Sequence, residues 1–125
     1  MSVQRGDYVA LAKGNQAWLA WRAGRPDEAR TLGLAALDQM GSLATTHPFL
    51  WVILWPLIAA HLAEDDITTA IEYARKLLDP AQPRWPDELA QALQAAIAAW
   101  EQGEPQVARQ RFWQAQAHAQ KTGYL

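Results

Sequence analysis

Three histidines, His47, His61 and His118, are the only imidazoles in the chain, and no cysteine accompanies them. A metal centre needs ligands that converge, commonly two histidines one helical turn apart or a cysteine pair. None of the three has a second histidine at i+4, so metal ligation, a thiolate site and a disulfide framework are all unexpected. Glu64-Asp65-Asp66 gathers three carboxylates, but on a tight turn such residues cap the next helix and face water. Thr45 and Thr46 directly precede His47, yet adjacency in a linker does not make an activated nucleophile, which needs a positioned base and a third group orienting it. Arg25, Arg30, Arg109 and Arg111 have the chemistry to hold an anion, but their spacing puts them in turns or on different helix faces, as solvated charge. No catalytic group, cofactor site or metal site is expected from these residues.

The chain of 125 residues carries seven tryptophans. Exposed aromatic clusters mark contacts with other proteins, because Trp supplies large buried area at little entropy cost. Whether these indoles face outward or inward depends on the elements that carry them. Half of the residues are hydrophobic, mostly Ala and Leu, and the short alternating runs of Val, Ile and Thr that announce strands are missing. The expected class is all-α, in one domain of residues 1–125. A formal net charge of −2 with interspersed signs offers no extended field for a phosphate backbone, so nucleic acid is not an expected partner. The longest apolar run, 49–60, falls short of the ~20 residues that span a bilayer and contains Pro56. It reads as a buried helix, and no membrane association is expected. The opening Met-Ser-Val-Gln-Arg-Gly-Asp lacks the apolar core of a signal peptide, and a cytoplasmic location is expected.

Helix punctuation divides the chain into six. Residues 1–7 read as frayed and 8–23 as the first helix, weakened by Gly14 at a cost on the order of 1 kcal/mol relative to Ala. Gly24-Arg25-Pro26 turns the chain into a second helix, with Asp27 and Glu28 at its positive end and Gly41 closing it. After the linker 42–47, Pro48 opens a third helix reaching 63, with a kink or a broken turn expected near 51–55 because Pro56 cannot donate and clashes one turn back. Asp66 caps a fourth helix over 67–78, and the three prolines of 79–86 demand a loop. Pro86-Asp87-Glu88 opens a fifth helix to 102. Gly103 and Pro105 make the next turn, and Gly123 stops the sixth helix so that Tyr124 and Leu125 pack back.

The three turns align. Small residues fall at Ala29, Ala70 and Ala108, about 40 residues apart; seven residues later stand Ala36, Leu77 and Ala115, and twelve earlier Ala17, Ile58 and Ala96. Gly24, Asp65 and Gly103 mark the turns. This pattern resembles the tetratricopeptide repeat, whose period is about 34 residues; Phe112 holds the family's aromatic position, while Gly33 and Ala74 stand there in the other two. The resemblance implies three antiparallel hairpins (about 8–41, 48–79 and 86–122) stacked as a right-handed array. A second likeness rests on Leu77-Leu78-Asp79-Pro80-Ala81-Gln82, Pro86-Asp87-Glu88-Leu89, Ala98-Ala99-Trp100-Glu101-Gln102-Gly103 and Gly123-Tyr124-Leu125. It is similar to the C-terminal repeat region of large bacterial signalling proteins that carry class III nucleotide cyclase and P-loop ATPase domains. Neither the phosphate-binding G-x-x-x-x-G-K-[ST] loop nor paired magnesium-binding aspartates stand in this chain, so such activity would belong to other parts of a parent protein.

In a tetratricopeptide-like stack the first helix of each hairpin lines a concave groove. Its outward face would carry Leu11, Trp18, Trp21 and Arg22, then Val52, Trp55, Ala59 and Leu62, then Leu93, Ile97 and Trp100. Trp51, Trp85 and Trp113 read instead as packing between hairpins. The expected function is a non-catalytic protein interaction module that binds a peptide, a helix or a second copy as a homodimer through Trp18, Trp21, Trp55, Leu62, Ile97 and Trp100, with Arg22 and Glu101 at the rim. A small-ligand sensor using the same groove is the alternative, which a closed pocket with convergent polar groups would favour.

Overall fold

The computed structural model describes residues 2–41 and 49–125, with side chains over 9–41 and 49–125. Thr45, Thr46, His47 and Pro48, with the linker they belong to, lie outside the described residues. Among the described residues every regular element is helical: α1 (Ser2–Arg22), α2 (Pro26–Met40), α3 (Trp51–Ala63), α4 (Ile67–Leu77), α5 (Asp87–Glu101) and α6 (Pro105–Thr122). The expected stops at Gly41, Asp66, Gly103 and Gly123 are where helices end or begin. Two expectations fail. α1 starts at Ser2 instead of near residue 8, because a helix nucleated downstream extends backward at little cost through a proline-free stretch. α3 runs through Pro56 with no broken turn. The missing N–H orphans a carbonyl only in the first turn of α3, and the surrounding core holds the helix in place.

α1 packs on α2 and α3, α2 on α3, α3 on α4, and α5 on α6 and α4. Each of the three tight turns has one left-handed residue, Gly24 (φ 79°), Asp65 (φ 63°) and Gly103 (φ 76°), the aspartate being a residue type that tolerates this region. Ala29, Ala70, Ala108, Ala36, Leu77, Ala115, Ala17, Ile58 and Ala96 are all fully buried. The spacing read from the sequence therefore marks the interior faces of the helices.

Two glycines mark where helices come closest. A Cβ at Gly14 would lie 2.9 Å from Ile53 Cγ1, and one at Gly33 would lie 2.6 Å from both Cγ and Cδ2 of Leu57. Gly33 is thus small at the position where Phe112 is large because Leu57 of α3 occupies the space. The helical cost of Gly14 and Gly33 is offset by the apolar contact that close approach allows.

The middle turn is gripped from both sides. Arg30 and Arg109, each one residue beyond a repeated alanine, pair with Glu64 and Asp65 respectively. Those two arginines are therefore not simply solvated, although pairs this exposed contribute only about 0–1 kcal/mol and serve to position the turn. Arg25 pairs locally with Glu28 at 3.2 Å, and Arg111 donates to Gln114 at 3.1 Å.

Asp66 does cap α4: its Oδ1 accepts from Thr69 N at 3.3 Å, and His61 Nδ1 lies 3.2 Å from Oδ2. Partial burial pushes the Asp66 carboxyl up, but the side-chain and backbone hydrogen bonds of Thr69 and the nearby His61 outweigh it and hold it below its ordinary 3.8. A depressed carboxylate stabilises the fold above its unfolded value and loses that contribution as the pH falls through its folded one. Asp66→Ala is expected to cost about 1 kcal/mol at neutral pH. In urea titrations the gap between parent and variant should narrow as the pH drops below 3.8, and a gap independent of pH would show that the charge is immaterial.

Tyr73, buried beside His61 with ring centroids 5.7 Å apart, has its hydroxyl pushed above the ordinary 10.0 by burial first, then by Glu72 and Asp66. The unfolded chain therefore ionises first, and stability falls as the pH rises past 10.0. Tyr73→Phe should lose less of its urea midpoint than the parent over that alkaline range, whereas parallel losses would exclude Tyr73 as the cause.

Candidate interaction groove

Positions 18, 21 and 22 share one helix face by their spacing, and in the last turns of α1 they meet the other end of the chain. The Arg22 guanidinium stacks over the Trp18 ring, 4.8 Å from its centroid. Trp18 Nε1 donates to the main-chain oxygen of Leu125 at 2.5 Å, and Arg22 Nη1 to the same oxygen at 3.3 Å. The segment reaches that place because Gly123 closes α6 in the left-handed region, φ 90°. Beyond it, the N–H groups of Tyr124 and Leu125 both donate to Ala119 O, at 2.8 and 3.2 Å.

Tyr124 then stands edge-on to Trp51 (5.4 Å between centroids) and Trp85 (4.8 Å). Trp85 in turn meets Trp51 at 6.1 Å and Trp55 at 6.0 Å, again edge to face. Such pairs satisfy the ring quadrupoles. They join α3 to the third helix pair, where the backbones of α3 and α5 do not approach closely. Trp85 is anchored by its Nε1 donating to Leu77 O at 2.7 Å, and the buried Gln82 accepts from the first helical N–H of α3, at Trp51, at 3.1 Å. The loop that three prolines announced is thus an inward-facing wedge.

Leu125 is fully buried and Tyr124 half-buried. Clefts open on both sides of them: Asn15, Trp18, Trp51, Val52, Gly123 and Tyr124 line one, and Trp21, Arg22, Gln120 and Leu125 the other. Burying a leucine contributes about 1.5–3 kcal/mol. Each edge-on aromatic pair adds about 0.5–1.5 kcal/mol, and each hydrogen bond about 0.5–1.5 kcal/mol. Ordering three residues opposes this by about 1–2 kcal/mol apiece. The gains exceed this cost, so the segment stays seated in the folded chain.

The structure brings together only part of the expected groove. Trp18, Trp21 and Arg22 flank the clefts, with both indoles half-buried. Trp55 and Leu62 do not: Trp55 is 0 % and Leu62 5 % exposed, and both belong to the core. The reason is that α3 is packed by α1, α2 and α4 together, so every residue from Ile53 to Leu62 is buried and only Trp51 and Val52 in its first turn reach the cleft. Its sequence is apolar all round, the mark of a helix covered on every side. Ala59 and Leu93 are enclosed for the same reason of packing. Ile97 and Trp100 are half-buried against the core and line neither cleft beside Tyr124 and Leu125. Glu101 pairs with Arg75 at 3.0 Å, away from Arg22.

Trp85 is buried as expected, whereas Trp113 is 45 % exposed instead of packing between helix pairs. Sequence reasoning missed Trp51, Asn15 and Gln120 as groove residues. The available signal was the aromatic-aliphatic pair after a helix-stopping glycine, which needs an apolar seat somewhere on the fold.

Among the described residues no three His, Asp or Glu side chains converge as metal ligands, and no helix is long and apolar enough to cross a membrane. His61 is buried against Asp66 and Tyr73, and His118 lies 3.6 Å from Glu88. Compared with known proteins, the chain matches no family model, no curated protein and no solved structure.

Proposed function

We propose that this chain is a non-catalytic protein interaction module, built as three helix hairpins stacked in a tetratricopeptide-like right-handed array. Three left-handed turns and the burial of every aligned small residue support that architecture. The wide junction between α3 and α5, filled by Trp85 and Tyr124, departs from a uniform stack. Binding takes place in the groove that runs past Trp18, Trp21, Arg22 and Trp51. One observation carries the reading: half-buried indoles flank open clefts walled on one side by a short non-helical segment, Gly123 to Leu125, that is seated against them. Open clefts suit a peptide, since a small ligand asks for an enclosed pocket.

Random peptides displayed on phage and selected against the immobilised chain test this. The recovered sequences are expected to bind the parent and the Trp113→Ala variant alike and to lose about ten-fold or more, over 1.4 kcal/mol, on Trp18→Ala or Trp21→Ala. Selected peptides indifferent to both groove variants would exclude the site.

A further inference from the structure

The groove's own occupant identifies what it takes. We infer that residues 123–125 are an internal competitor, and that the partner displacing them is a peptide with an aromatic residue followed by an aliphatic one. This rests on the interaction reading above. The seat is specific in three ways. An aromatic ring packs edge-on against both Trp51 and Trp85, which also touch each other. An aliphatic side chain is completely enclosed one residue later. A main-chain oxygen at that second residue takes hydrogen bonds from Trp18 and Arg22, which fixes the direction and register of whatever chain lies there, since backbone contacts recognise a peptide whatever its other side chains.

Release breaks the two cap bonds from Tyr124 and Leu125 N–H to Ala119 O but leaves Gly123, which ends α6 in its left-handed cap with its N–H on Gln120 O at 3.3 Å. Gly123 is exposed, and a Cβ there would meet nothing within 4 Å. The chain therefore swings at this glycine without unpacking α6, whose Phe112, Ala115 and Ala119 stay in the core. The segment and the partner are mutually exclusive because both need the Trp18 N–H and the surface that Trp51 and Trp85 present to Tyr124.

The probe is a synthetic peptide of residues 119–125, amidated at its end and labelled with fluorescein at its start, titrated by anisotropy. It is compared on the parent chain and on the full-length double variant Tyr124→Ser, Leu125→Ser. If the segment occupies the groove at least about nine-tenths of the time, the double variant binds about ten-fold more tightly or better. The same peptide with Ser in both places is expected to bind neither chain. Equal affinity for parent and variant overturns the internal competition while leaving the groove reading intact. No binding by either chain, with helical circular dichroism unchanged, overturns both.

Hydrogen exchange of the parent supplies a measurement that does not depend on the variant folding. The amides of Tyr124 and Leu125 are expected to exchange about a hundred-fold faster than the amide of Ile58, through local opening. Exchange of all three at one common rate would show that the segment leaves only when the domain unfolds, and would overturn the inference.

Discussion

Trp55→Ala is expected to lower the free energy of unfolding by about 3–5 kcal/mol, a large part of the roughly 5–15 kcal/mol that holds a domain together. Trp55 is fully enclosed, packed edge-on against Trp85, and sits in the stretch of α3, Ile53 to Leu62, where every residue is buried. Truncation removes the indole's transfer free energy and leaves a cavity that rigid helices on three sides cannot collapse into. Urea unfolding followed by circular dichroism at 222 nm should show a much lower midpoint or an already melted chain. Trp113→Ala, at a position 45 % exposed on α6, is expected to stay within about 0.5 kcal/mol of the parent. A Trp55→Ala chain as stable as Trp113→Ala would mean that Trp55 faces a groove after all. The loss should also reach the groove, since Trp55 supports Trp85 and Trp85 supports Tyr124.

Gly33→Ala is expected to destabilise, although alanine is the better helix former by about 1 kcal/mol. The added methyl would lie 2.6 Å from Leu57 Cγ and Cδ2, at the branch of a side chain that is itself 0 % exposed. Leu57 cannot swing aside into solvent, so α2 and α3 must separate. Overpacking of this kind costs about 1–3 kcal/mol and exceeds the propensity gain in most of that range. At exposed Gln39, by contrast, a change to Ala should be neutral or slightly favourable. A raised urea midpoint for Gly33→Ala would show that the approach of α2 to α3 is looser than these distances imply. Phe at the same position, the residue type that the repeat resemblance asks for, should prevent folding altogether.

The difference between Gly33 and Phe112 shows where sequence reasoning stopped. Both stand four residues after a repeated alanine and both are buried, so periodicity located the face correctly. Which of them is small depends on what the neighbouring helix presents, and Leu57 lies in another part of the chain. The same limit applied to the tryptophans. Trp18 and Trp21 at the end of α1 remain half-buried because beyond α2 and α3 they meet little more than the short segment ending at Leu125, whereas Trp55 in α3 is covered on every side. Local spacing assigns a residue to a face, but the number of neighbours that a helix acquires decides whether any face is left open.

Helix content, the left-handed turns and the aspartate cap were determined by the sequence alone, because glycine, proline and capping side chains act within a few residues of their own positions. So was the inward turn of Tyr124 and Leu125, an aromatic-aliphatic pair released by a helix-stopping glycine. Tertiary structure decided where that pair lands, since Trp18 and Arg22 lie more than a hundred residues from Leu125. It also decided that the proline-rich loop carries Trp85 inward and that Trp55 belongs to the core. Those outcomes depend on long-range packing of large side chains into space left between helices, and shape complementarity between distant segments has no signature in local spacing.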